Sequence, residues 1–88
     1  MKLDCHVRDI STISHMTYHN GQPCDLYTAT VKLCRIGFTG AGLYSAYLVL
    51  YAKTEQKLEK MLDKYRTDKL LHVPIENLVD ARGRKYHV

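Results

Sequence analysis

The stretch His15-Met16-Thr17-Tyr18-His19-Asn20-Gly21-Gln22-Pro23-Cys24-Asp25-Leu26-Tyr27-Thr28-Ala29-Thr30-Val31-Lys32-Leu33 decides the fold. At its centre stands Asn20-Gly21, the pair that best supplies the two positive φ angles of a type I′ hairpin turn. A two-residue turn there sets His19 against Gln22, Thr17 against Cys24 and His15 against Leu26. Side chains alternate across a strand. One face then carries Met16, Tyr18, Tyr27, Ala29, Val31 and Leu33, and the other carries His15, Thr17, His19, Cys24, Thr28, Thr30 and Lys32. The first set is apolar enough to be a core face, and the second is polar. Pro23 beside the turn cannot donate to the ladder, which strains this register.

Beyond this hairpin, residues 43–52 read as a strand with Tyr47, Val49 and Tyr51 on one face and Leu48 and Leu50 on the other. Apolar residues on both faces predict a central strand. A helix is expected over 55–66. Thr54 is its N-cap and Glu55 complements its first turn. Leu58, Met61, Leu62 and Tyr65 fall at i, i+3, i+4 and i+7, a core-facing stripe. Residues 70–73 form a short strand that Pro74 confines to an edge or a strand end. A last hairpin is expected across Arg82-Gly83. Strands around one helix predict a single α+β domain over residues 1–88, a small twisted antiparallel sheet of four to five strands with the helix on one face.

Composition agrees with that class. The chain has 88 residues, 45% hydrophobic and 25% charged, near the globular average, with a net charge of +4. At this length only about 60–65% of the unfolded surface is buried, so the core is small. The charge is local. Residues 1–34 are neutral, whereas 53–70 and the tail at about 80–88 each carry a net +2. The longest apolar run, residues 46–52, is far below the roughly 18 residues that span a bilayer, so no membrane partner is expected. The N-terminus has an early acid, Asp4, and no apolar core, so no secretory leader is expected. Three unevenly spaced cysteines do not make a disulfide framework, which points to a reducing, cytoplasmic setting.

Several constellations bear on function. Cys5, His15, His19 and Cys24 are all zinc-ligand types. His15 and His19 lie on a strand, however, where four residues separate Cα atoms by roughly 13 Å. That is too far to share one ion, so no metal or other cofactor is expected. Cys5 and His6, adjacent on a strand, point to opposite faces, Cys24 with His15 or His19 lacks an acid to orient the imidazole, and no paired carboxylates suggest acid–base work, so an enzyme is not expected. Gly37-Phe38-Thr39-Gly40-Ala41-Gly42 joins two strands and does not open a helix. It reads as a hairpin connection that offers Phe38 and Thr39 to a partner. On the helix, Glu55, Glu59 and Asp63 line one flank and Lys57, Lys60 and Lys64 the other, with like charges three or four residues apart. The tail adds Arg82, Arg84, Lys85 and Tyr86.

Of seven tyrosines, Tyr44 and Tyr86 are expected to be free, and a tyrosine-lined sheet face is available for homodimerisation or docking. The expected function is a small, stand-alone, non-catalytic interaction protein of the inhibitor or adaptor kind, as among viral accessory proteins. It would dock a preformed surface, built from Phe38, Thr39, Tyr44, the helix lysines and the tail, on a larger protein partner. The alternative is direct nucleic-acid binding through Lys57, Lys60, Lys64 and the tail. A zinc-stabilised domain or small enzyme stands well behind both.

Overall fold

The computed structural model describes residues 2–35, 45–67 and 70–86. Asn20 and Gly21 both take positive φ, 52° and 78°, and turn the chain between β2 (Ser14–His19) and β3 (Gln22–Arg35). His19 faces Gln22 as the sequence implies. The register then slips. Met16 faces Leu26 and His15 faces Tyr27, so the single residue Thr17 stands against two, Cys24 and Asp25. This is a β-bulge. It lies directly after Pro23, whose missing amide weakens the ladder there. One residue of slip exchanges the faces of β2. Met16 and Tyr18 are therefore not core residues, and Tyr18 is 67% exposed. His15 instead stacks on Tyr27, with centroids 4.8 Å apart, and pairs with Asp25.

The N-terminal segment is a strand that the sequence does not single out. Strand β1 (Lys2–Ile10) pairs with the far half of β3, from Cys5 opposite Arg35 to Ile10 opposite Val31. Strand β4 (Ser45–Ala52) pairs with residues 27–34 of β3. Those residues are shared with β1 and β2, so β1 and β2 lie end to end along the opposite edge of β3. Ser11 bridges the break between them. Its amide donates to the Thr30 carbonyl at 2.9 Å, and its hydroxyl accepts from the Thr30 amide at 2.8 Å. Strand β5 (Leu70–Pro74) adds to the outer edge of β1 and ends at its proline. The result is a five-stranded antiparallel sheet, ordered β5-β1-β3-β4 with β2 prolonging β1.

Strand β4 is not central, contrary to its pattern. Among the described residues only Tyr47 is paired on its second edge, through mutual 2.9 Å hydrogen bonds with Val79. The apolar character of both its faces has two separate causes: one face enters the core, and the other is a half-open surface.

Helix α1 (Glu55–Thr67) follows β4 directly. The Thr54 hydroxyl accepts from the Lys57 amide at 3.1 Å, the capping bond its position predicts. Leu58 and Leu62 are fully buried, and Met61 and Tyr65 pack partly against them. They cover the inward face of the sheet, which contributes Leu3, Cys5, Val31, Leu33, Leu48 and Val73 to one contiguous core. No described helix is long and apolar enough to cross a membrane.

After β5 a short 3₁₀ turn, Ile75–Asn77, carries the chain across to β4. The described part of the expected last hairpin forms there, with Val79 bridged to both Tyr47 and Lys85 and Gly83 at φ 79° in its turn, while residues 87 and 88 of the expected second strand lie outside the described residues. It also corrects the reading of Tyr86 as a free ring. Tyr86 is only 8% exposed and joins the core beside Leu78, because its amide bonds the Leu78 carbonyl at 3.2 Å and turns the ring inward.

Candidate interaction surface

The residues singled out in the sequence separate into three groups. Phe38, Thr39 and Tyr44, with the whole glycine loop, lie outside the described residues. Lys57, Lys60 and Lys64 are exposed on α1, on the side of the sheet that the helix covers. Arg82, Arg84 and Lys85 belong to the C-terminal turn at the margin of β4.

The helix flanks differ from their sequence reading. Glu59 and Asp63 do not simply repel one another, because Arg66 donates to Glu59 at 2.8 Å and to Asp63 at 3.0 Å. One terminal nitrogen, Arg66 Nη1, thus serves two carboxylates with its two hydrogens. No lysine of the other flank has an ion pair among the described residues. Lys64 lies 5.9 Å from the ring centroid of Tyr65.

Residues 80–86 of the basic tail are folded, and Asp80 holds their turn. One carboxylate oxygen accepts from the Arg82 and Arg84 amides, both at 2.9 Å, and the other from Arg84 Nε at 3.2 Å. The Arg84 amide foremost, then the Arg82 amide and the Arg84 charge, hold the Asp80 carboxyl below the usual carboxylate value. A depressed folded-state pKa stabilises above the unfolded value, near 3.9, and that contribution disappears as pH falls through the folded value. Acidification below about pH 4 is therefore expected to loosen this turn. Asp80→Ala should do so at neutral pH, seen as faster hydrogen exchange at the Arg82 and Arg84 amides. Unchanged exchange in that variant would show that the turn does not depend on Asp80.

The hairpin has a consequence for the outward face of the sheet. Residues directly opposite one another share a face. The pairings Asp9–Lys32, Lys32–Tyr47, Tyr47–Val79 and Val79–Lys85 therefore form one row across the sheet. Lys32 and Lys85 flank Tyr47 in this row, and the Lys32 ammonium lies 6.0 Å from the Tyr47 ring centroid. Along β4 the same face continues with Val49 opposite Thr30 and Tyr51 opposite Thr28. Tyr51 is 42% exposed, and the His19 ring packs edge-on to it at 5.7 Å. Lys32 is not among the contact residues expected from the sequence, and these two tyrosines enter that expectation only through its tyrosine-lined sheet face. The alternation Tyr47-x-Val49-x-Tyr51 is the available signal, but in sequence it reads as a second buried face.

The reactive side chains are dispersed. Cys5 is fully buried, and burial pushes its thiol above the ordinary value; nucleophilic cysteines need the opposite shift. Cys24 donates to the Met16 carbonyl at 3.3 Å, and His15 is engaged by Asp25. Cys5 lies on β1, and His15, His19 and Cys24 lie on the β2–β3 hairpin. Among the described residues no three metal-ligating side chains converge. A cleft of about 420 Å³ between β4, β5 and the end of α1 holds one imidazole, His72, which pairs with Asp4. Comparison with protein-family models, curated proteins and solved structures gave no match.

Proposed function

We propose that this chain is a small, non-catalytic interaction protein of the inhibitor or adaptor kind, which docks the open face of its sheet on a larger macromolecular partner. The observation that supports this most is the Tyr47–Val49–Tyr51 face flanked by Lys32 and Lys85. Its rings lie outside the core although the domain has little apolar surface to spare. Placing two tyrosines and a valine outward forgoes burial worth about 25 cal/mol per Å², which a bound partner would restore. The face stands on paired strands, so little order must be imposed on binding. Its three free thiols fit a cytoplasmic setting. The helix lysines form a separate cationic strip on the other side of the sheet and serve as a control.

The test is capture from an extract of the source cells, comparing the wild-type chain with Tyr51→Ala/Lys32→Ala. Both positions are partly exposed, so each substitution should change stability by no more than about 0.5 kcal/mol. The double variant is expected to fail to capture the partner while its melting temperature falls by no more than about 8 °C. Retained capture, or failure only in Lys57→Glu/Lys60→Glu, would place the docking surface elsewhere.

A further inference from the structure

We infer that the partner of the open face is single-stranded nucleic acid, with bases stacked on Tyr47 and Tyr51 and phosphates held by Lys32 and Lys85. This rests on the assignment of the open face as the docking surface and names what occupies it.

Three features point to this ligand. The first is the order of groups across the sheet, in which an aromatic ring stands between two cations in the row Lys32–Tyr47–Val79–Lys85. At about 4.8 Å between neighbouring strands the Lys32 and Lys85 Cα atoms are roughly 14 Å apart. A backbone can therefore be held on both sides of a base stacked on Tyr47. The second is the repeat along β4. Tyr47 and Tyr51 share a face four residues apart, roughly 13 Å, with Val49 as an apolar step between them. Such platforms bind unpaired bases with little sequence preference, because every base has a π-face. A duplex hides those faces in its own stack.

The third is charge. Exposed cations dominate this margin, since Arg82 and Lys85 both belong to the hairpin, and the Asp80 carboxylate is occupied by Arg84. The one carboxylate in the row, Asp9, stands at its far end and accepts from the Ile10 amide at 2.9 Å. Charge also disfavours a second copy as the occupant. A two-fold contact through this face would bring two sets of Lys32 and Lys85 together. An anionic polymer has the complementary sign.

The experiment is a fluorescence-anisotropy titration of a labelled oligothymidylate of about a dozen nucleotides with the whole chain, at about 50 mM and about 200 mM salt. Saturable binding that weakens with salt is expected. Tyr51→Ala should weaken it about tenfold, whereas Tyr51→Phe, which keeps the ring, should bind within about threefold of wild type. Lys32→Glu/Lys85→Glu should reduce affinity further and flatten the salt dependence, by about 0.7 in log–log slope for each phosphate no longer neutralised. Lys57→Glu/Lys60→Glu makes the same change in net charge on the helix side, and should alter binding less than about threefold.

No saturable binding by the wild-type chain up to about 100 μM would overturn the inference. So would an equal loss of affinity in the helix pair and the sheet pair, which would indicate charge attraction without a site. If the oligonucleotide is not bound but Tyr51→Ala no longer captures an acidic protein from nuclease-treated extract, the nucleic-acid inference fails and the docking face stands. If neither is bound, both fail.

Discussion

Tyr86→Ala is expected to lower stability by about 3–5 kcal/mol, the range for truncating a buried aromatic ring. In a domain of this size each kcal/mol moves the melting temperature by about 4–8 °C, so the midpoint should fall by more than about 10 °C. The ring stands in the C-terminal hairpin, after the Arg82-Gly83 turn. Here it is 8% exposed and packed in the same core as Leu78, Leu58 and Leu62. Tyr86→Phe keeps the ring and should retain most of the stability. Thermal unfolding followed by circular dichroism measures both. If Tyr86→Ala melts within about 2 °C of wild type, the C-terminal hairpin is not integrated with the core.

Leu62→Ala should be as severe, costing about 2–5 kcal/mol through reduced burial and the cavity left behind. Leu62 is fully buried on the inward side of α1, where the helix meets the sheet. The total stability of an 88-residue domain is roughly 4–13 kcal/mol, so this one change removes a large share of it. Leu70→Ala deletes the same atoms from a side chain that is 51% exposed at the start of β5. Its cost should be smaller by at least about 1 kcal/mol. Equal midpoints in urea for the two variants would mean that α1 is not docked on the sheet as described.

Much of this fold is legible in local sequence. Asn20-Gly21 marks its turn because only a few residues tolerate two positive φ angles. Ala29, Val31 and Leu33 alternate into the core, and Leu58, Met61, Leu62 and Tyr65 trace one helical face beginning at the Thr54 cap. What is not legible depends on pairing between distant segments. The slip opposite Thr17 is decided by Cys24 and Asp25 bulging together after Pro23, and it exposes Tyr18. Strand β1 shows alternation only over Leu3, Cys5 and Val7. Arg8 then interrupts it with a second bulge, so the strand beside β3 has the shorter signal.

The surface is legible as residue types and not as an arrangement. The basic tail and the tyrosine surplus are both evident, but the sequence does not show that Val79 joins Tyr47 to Lys85. That bridge makes a tail lysine and a mid-chain tyrosine neighbours on one face. It also turns Tyr86 inward, removing from the surface a ring that the sequence reading leaves free. Arg66 is a signal that the sequence does carry, standing three residues after Asp63 and seven after Glu59 on the same helix flank.

The most direct measurement is a ¹H–¹⁵N correlation spectrum of the whole chain titrated with oligothymidylate. Nucleic-acid binding at the open face predicts progressive shifts at Lys32, Tyr47, Val49, Tyr51 and Lys85, with the amides of Lys57, Lys60 and Lys64 unmoved. Shifts confined to those three helix lysines, or no shifts at all, would contradict it.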